Sequence, residues 1–345
     1  MIHTKVQIRN HNLAIQNQVK KLLAEEGKNG WNLAKNELLA QKTSSKCLRE
    51  ALKYIAELPD YFRPALVSLC SEAVGGTQKP TLPSSAGLIL FGKSIGMHDD
   101  IIDNTEKRKK RLTAYGKFGR EISLVLSDIL SFKGFTLFKK NIEIGIPAQQ
   151  LAAIFRTIEQ IWFEQAEGEI FEIQSRNRAV TTPEQVLTKV KKRASECEAI
   201  TRIGAILGDG TGTEIQDLGQ YGRMIGTASL LRDELIDMLE LDVLKARILN
   251  ESLPLPIIYA LKKMDARTQL EPLMKKHDLT LKDLGKISKV SDEAGGLRHV
   301  ADHISEMVKK ACMNAQGFHG GEKMKLIANS LRIAQADWRE LVESR

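Results

Sequence analysis

Apolar residues recur at spacings of three and four along almost the whole chain, and few runs alternate with the period of two that a strand requires. The pattern predicts helices of roughly 10 to 25 residues. Glycine and proline punctuate them at Leu58-Pro59-Asp60, Gly75-Gly76, Pro80 to Ser85, Gly145-Ile146-Pro147, Thr181-Thr182-Pro183, Gly208 to Gly212, Gly295-Gly296 and Gly317 to Gly321. Ser84-Ser85 is placed to cap one long helix, and Thr182 with Pro183 to start another. The first 45 residues are polar and amphipathic, and Gly27 to Gly30 is expected to divide them into two short helices. No break has the length or low complexity of a linker. The expectation is an all-α protein: a helical extension over residues 1–45 packed on one large domain over 46–345.

Two helical stretches carry acids in the same spacing. His98-Asp99-Asp100-Ile101-Ile102-Asp103 and Arg232-Asp233-Glu234-Leu235-Ile236-Asp237 each place acids at i, i+1 and i+4. At about 3.6 residues per turn, the first and last acids of each set share a face. One such trio is ordinarily a solvated face. Here both sit among apolar residues, Ile95, Met97, Ile101 and Ile102 around the first and Leu230, Leu231, Leu235 and Ile236 around the second. Carboxylates in that setting are costly unless they are paired or metal-bound. Facing clusters would form an oxygen cage for hard divalent cations, best for Mg2+, which shares its shell with substrate phosphates. Asp99, Asp100, Asp103, Asp233, Glu234 and Asp237 are the expected metal residues.

Composition narrows the partners. With 345 residues there is chain enough for a sizeable core, and 42% hydrophobic and 27% charged residues are ordinary for a globular protein. The net charge of +8 suits an anionic partner. Nucleic acid ranks last, because aromatics are only 5% and the densest basic run, Lys107 to Arg111, begins four residues after Asp103, where phosphate binding is the simpler account. Cys47, Cys70, Cys197 and Cys312 have neither CxxC nor zinc spacing and read as reduced thiols. No apolar run approaches the roughly 20 residues that span a bilayer, and the N-terminus lacks the apolar core of a signal peptide, so the expectation is a soluble cytoplasmic protein.

The residues around both motifs resemble the trans-prenyltransferase family, the polyprenyl (isoprenyl) diphosphate synthases. Phe62-Arg63-Pro64 is similar to the end of that family's GGKRxRP motif, and His98 through Asp103, Arg108 and Thr113 to Gly119 is similar to its first aspartate-rich region. Lys192 precedes Gly204-Ala205 at the distance of its KT…GA segment. Gly222 to Asp237 resembles its second aspartate-rich region, and Leu253-Pro254-Leu255-Pro256-Ile257-Ile258-Tyr259-Ala260-Leu261 its TLPLIYAL segment. The resemblance runs from about residue 50 onward. It implies antiparallel helices around a deep central cavity, and a homodimer. It implies that Asp99, Asp103, Lys192 and Asp233 carry catalysis with more than one Mg2+ ion on an allylic prenyl diphosphate gripped by Arg108 and Lys192, with Arg63 and Lys109 as further diphosphate-binding residues. Isopentenyl diphosphate is the acceptor it implies, with peripheral membrane contact through a lipid product.

The departures from the pattern cluster. Positions that in the family hold isopentenyl diphosphate read Asp60, Arg63, Gly92 and Lys109, and Asp60 sets a negative charge where a lysine is usual. Ser229-Leu230 replaces a Phe-Gln pair, the GKxxGxD tail is missing between Leu239 and Leu253, and Glu196 and Glu198 follow Lys192. The half that ionises an allylic diphosphate looks whole, and the half that holds isopentenyl diphosphate looks damaged. The resemblance puts the pocket floor at Ser94 and Ile95, which leave room, with Phe91 as a deeper floor and a C20 to C25 chain expected. The leading reading is a Mg2+-dependent prenyltransferase. A class I terpene synthase comes second, and a non-catalytic subunit of a heteromeric prenyl diphosphate synthase third.

Overall fold

The computed structural model describes residues 13–108, 111–176, 181–276, 278–334, 338–339 and 342. Its helices are α1 (Leu13–Leu39), α2 (Lys46–Ala56), α3 (Phe62–Ala73), α4 (Leu82–Ile102), α5 (Ala114–Phe118), α6 (Arg120–Phe138), α7 (Lys140–Glu143), α8 (Ala148–Ser175) and α9 (Pro183–Arg193). They continue as α10 (Ser195–Leu207), α11 (Gly212–Asp237), α12 (Leu241–Asn250), α13 (Leu255–Ala260), α14 (Met264–Met274), α15 (Leu281–Glu293), α16 (Gly296–Asn314) and α17 (Gly321–Asn329). Among the described residues the only strands are β1 (Lys107–Arg108) and β2 (Arg111–Leu112), a short antiparallel hairpin inside the basic run after the first acidic motif. The helical period of the sequence thus carries through as an all-α fold.

Two helix starts show how local chemistry sets the boundaries. Thr182 caps α9 in a reciprocal capping box with Gln185, with Pro183 in the first turn. The expected cap at Ser84-Ser85 is displaced: α4 begins at Leu82, and both serines are buried inside it. Ser84 there accepts a hydrogen bond from Asn141 across the core, so its hydroxyl serves packing instead of the helix end. Gly27 and Gly30 do not break the chain either. α1 runs unbroken through them, burying Val19, Leu23, Trp31, Ala34 and Leu38 on the same stripe. A Cβ at Gly27 would meet the Tyr61 carbonyl oxygen at 2.3 Å, and one at Gly30 would meet Pro64 at 2.6 Å. The glycines are contact points: α1 presses on the corner that leads into α3 and holds Asp60 to Pro64 in place.

The most extensive helix packing joins α4 to α6, α10 to α11, and α11 to α16. One large apolar core runs through α3, α8, α10, α11, α13, α15 and α16, and a second fills the space between α1, α2, α4 and α6. α4 and α11, which carry the two acidic motifs, are therefore clamped on several sides by buried side chains. Their acids sit at the C-terminal ends of rigid rods.

Candidate active site

The first motif ends α4. Asp100 turns toward the hairpin and accepts Nε of Arg108 at 2.6 Å, while Asp99 accepts Nη2 of Arg193, the last residue of α9, at 3.0 Å. Asp103 pairs with Arg176 at the end of α8, which also donates to the Ile102 carbonyl at 3.2 Å. Residues i and i+1 on a helix lie about 100° apart, so Asp100 cannot share the face of Asp99 and Asp103. The hairpin that brings Arg108 is fastened behind by Tyr54, whose hydroxyl donates to the Leu112 carbonyl at 2.7 Å and whose ring lies 4.0 Å under Arg111.

Even with three arginines present, the acids are under-neutralised. Burial, added to repulsion from Asp99, raises Asp103 above the usual carboxylate range. Glu169 of α8 is pushed up to about 7 by burial, then by Asp99, with Asp103 and Glu172 adding to it. A hard cation would relieve this field of oxygen donors. Among the described residues, however, no three acidic, His or Cys side chains already converge closely enough to hold one in common. The arginines occupy those oxygens here.

Glu169 gives a sign-definite test in metal-free buffer. Its folded-state value of about 7 lies above the ordinary 4.5, so the folded chain holds this proton more tightly than the unfolded one. Stability from this group is therefore present at low pH and lost as pH rises from about 4.5 to about 7. Glu169→Gln should gain on the order of 1 kcal/mol above pH 7, after discounting for partial solvation, and nothing below pH 4.5. Urea unfolding at pH 4.5 and pH 8 checks it, and a gain that shrinks with rising pH contradicts it.

The second motif, at the end of α11, divides. Asp233 is solvent-exposed. Arg108 from the first motif's hairpin lies within electrostatic reach of it, so charges of the two motifs act on each other. Glu234 is buried and structural. It accepts the Leu255 backbone N–H at 2.9 Å and Nη2 of Arg247 at 3.1 Å. Arg247, on α12 in the segment where the family tail is missing, also binds Asp237, Glu251 at 3.1 Å and the Ser252 carbonyl at 3.3 Å. Glu234 and Asp237, expected as metal residues, are thus both paired here with one resident guanidinium. Asp237 is nonetheless pushed up to about 7 by burial, which Arg247 only partly offsets.

A buried carboxylate bridges the halves. Glu172 on α8 binds Lys189 of α9 and accepts the Ser252 N–H at 3.0 Å. Burial alone would raise it, but Lys189 and Arg247 hold it well below the carboxylate range. Lys189 and Arg193 are four residues apart on α9 and face the acids. Lys192, chosen by its distance from Gly204, lies off that face and pairs with Glu167 at the edge of a shallow cleft between α8 and α9. Sequence reasoning missed Glu169, Glu172, Arg176, Lys189, Arg193 and Arg247. The i, i+4 spacing puts Lys189 and Arg193 on one side of α9, and the tertiary structure shows that this side meets the acids.

Arg63 is also not where a free diphosphate ligand would be. Its guanidinium lies on Gly92, gives Nε and Nη2 to Glu196 at 2.8 and 2.6 Å, and pairs with Asp60. Lys109 falls outside the described residues. In the expected chain-length pocket, Ser94 is fully buried and turned to α6, donating to the Ser127 carbonyl at 2.9 Å beside Ser131 Oγ at 2.7 Å. Ile95 is half-buried, and a Cβ at neighbouring Gly96 would meet nothing within 4 Å, so open space lies beside this turn of α4. Deeper, Phe91 packs edge-on against Phe135 at 4.7 Å and Trp162 at 5.5 Å.

Residues 45–290 match the polyprenyl synthetase family. The chain belongs to the polyprenyl synthetase family. Within it, the chain is 29% identical over 203 residues to a short chain isoprenyl diphosphate synthase of Methanothermobacter thermautotrophicus, 59% of this chain and 61% of that protein. It is 27% identical over 176 residues to the octaprenyl diphosphate synthase of Escherichia coli, 51% of this chain and 52% of that one. The matched stretches span about half to three-fifths of these polyprenyl synthetases' own lengths. Among solved structures, the geranylgeranyl pyrophosphate synthetase from Pyrococcus horikoshii superposes with a TM-score of 0.81 at 18% identity, over 92% of this chain and 100% of that one. A polyprenyl synthase from Caulobacter crescentus, complexed with calcium and isoprenyl diphosphate, superposes with a TM-score of 0.76 at 18% identity, over 91% and 97%. At such identities the likeness shows the fold, which is the all-α fold expected of a polyprenyl synthetase.

Proposed function

We propose that this chain is a prenyltransferase that takes an allylic prenyl diphosphate at Asp99, Asp103 and Asp233 with Mg2+ and passes the prenyl group to an acceptor. The observation that carries it is the uncompensated acidity of α4 and α8 beside arginines that can turn to an anion. Carboxylate oxygens in excess of their partners suit a hard divalent cation. Bound there, Mg2+ supplies Lewis-acid neutralisation of the departing diphosphate. Asp99 and Asp103, one turn apart, hold that position from α4, and Asp233 approaches from α11. Arg108 and Arg193, released from Asp100 and Asp99, grip the diphosphate through charge-assisted hydrogen bonds. Arg193 takes the part first assigned to Lys192. The half-buried Ile95 and the aromatic group at Phe91 keep water from the prenyl chain.

Arg63, neutralised by Asp60 and Glu196, favours a second reading: a class I terpene synthase, in which the substrate's own double bond is the acceptor. Diphosphate release from C10 to C25 allylic diphosphates with Mg2+, with and without isopentenyl diphosphate, separates the two. Longer diphosphates made only with isopentenyl diphosphate mean elongation. Hydrocarbons or alcohols made without it mean terpene synthesis. Turnover regained only with a partner chain would instead support the subunit reading.

A C20 to C25 chain fits a floor at Phe91. Phe91→Ala should lengthen the preferred chain by about one C5 unit, since it opens a cavity at the end of the slot. Product analysis by mass spectrometry checks it, and an unchanged length places the floor elsewhere. A homodimer is expected from the exposed Val125, Phe132 and Phe135 of α6 and Phe163 and Ile170 of α8, an apolar face that pairing would cover. Sedimentation of the protein gives the answer. Among the described residues no helix is long and apolar enough to cross a membrane.

A further inference from the structure

Arg63 is held as no ligand-binding arginine should be. It is the second residue of α3, and its guanidinium fills the space that a side chain at position 92 would take. A Cβ at Gly92 would lie 2.1 Å from both Nε and Cζ of Arg63. Two carboxylates clasp it, Asp60 from the corner before α3 and Glu196 from α10, and the three side chains are only 15%, 11% and 12% exposed. Asp60 also accepts the backbone N–H groups of Phe62 at 3.1 Å and Arg63 at 3.3 Å, so it cannot swing away cheaply. Lys93, beside Gly92 on α4, lies within electrostatic reach of Asp60 and donates to the Leu58 carbonyl at 2.7 Å. Two cations thus face two anions, and the unit is close to neutral.

Its place matters as much as its charge. Gly92 lies seven residues before Asp99, about 10 Å along α4, on the face that continues through open Gly96 to Asp99 and Asp103. Glu196 lies three residues after Arg193, which holds Asp99. The unit therefore borders the same space as the acidic site. A diphosphate arriving there would find Arg63 already held by two carboxylates, and would have to break a buried ion pair to reach it.

We propose that the Asp60–Arg63–Glu196 unit seated on Gly92 is a specificity element that closes the acceptor side of the site to anions, so that the prenyl group passes to an uncharged acceptor: water, an alcohol or an alkene. This rests on the reading of the acidic site as one that ionises an allylic diphosphate. In the transfer, the allylic C–O bond breaks and the diphosphate leaves with its electron pair. The new C–O or C–C bond draws its pair from the acceptor's lone pair or π bond, and the acceptor then gives up a proton. Arg63 and Gly92 act by shape and charge at the wall.

The test is calorimetric titration of isopentenyl diphosphate into the full chain, with Mg2+ and inorganic pyrophosphate present to fill the acidic site. Wild type should show no saturable binding. Asp60→Asn with Glu196→Gln frees the guanidinium beside Lys93 and should bind at least about tenfold tighter, the scale of one charge-assisted pair. Adding Arg63→Met to that double variant should abolish the gain. Glu196→Gln alone is gentler on the fold and should change binding in the same direction by less. Wild-type binding as tight as the double variant's, or a gain that persists without Arg63, overturns the proposal. Failure of the underlying reading would look different: no Mg2+-dependent diphosphate release from any allylic substrate, whatever the titrations show.

Discussion

Asp99→Asn combined with Asp103→Asn lowers Mg2+-dependent diphosphate release by at least about a thousandfold while the helical fold survives. The size follows from the role: groups that stabilise developing charge on a leaving group commonly contribute factors of 10² to 10³ each. The survival follows from the packing. Both side chains are only partly buried, and α4 is held by its apolar contacts with α6 and α1 instead of by these acids. Arg193 and Arg176 lose their partners in the double variant, but Glu169 and Glu172 remain near Arg193 to receive its charge. The two acids are changed together because either one alone leaves a carboxylate on the shared face. Circular dichroism with single-turnover release rates is the measurement. Full activity in a folded double variant would remove the acidic site from the chemistry.

Arg247→Met should be the most damaging single change to stability, at about 3–5 kcal/mol and a melting temperature lower by about 10 °C. Arg247 is buried and holds Glu234, Asp237 and Glu251 together, so its removal leaves uncompensated carboxylates in a closed region. The pH dependence identifies the cause. In wild type, burial would raise Glu234, but Arg247 and Lys189 keep it below its ordinary value, so its contribution is present above that value and lost as pH falls. Without Arg247 both acids can be accommodated only when protonated. The melting gap between wild type and variant should therefore be small near pH 5 and widen toward pH 8. Asp237→Asn added to Arg247→Met should recover part of the loss, because it removes one of the stranded charges. A gap that is flat or narrows with pH would mean that Arg247 acts by packing alone.

The chain's polymer pattern carried much of this reading. Periodicity alone specified an all-α protein, because burying one stripe of a helix needs only apolar residues every three or four positions. The two acid triplets announced themselves because carboxylates inside apolar helices need a reason. Capping at Thr182 was legible for the same local reason: a hydroxyl, a proline and Gln185 lie within one turn. Glycine was harder to read. Gly27 and Gly30 look like breakers until α3 is laid across α1, and Gly92 looks like a lost ligand until Arg63 fills it.

What only the tertiary structure decided is direction. On a helix one residue's step turns a side chain by about 100°, so spacing cannot choose between Lys192 and Arg193, or separate Asp233 from Glu234, without knowing what lies opposite. The partners that settle those choices, Glu167, Asp99 and Arg247, come from other helices. Arg247 lies ten residues beyond Asp237 in a segment where the family pattern had failed, and no local rule points it back at the motif. Sequence fixes which charges exist and how they are spaced along each rod. Only the packing of the rods decides which of them cancel, and so which remain to meet a substrate.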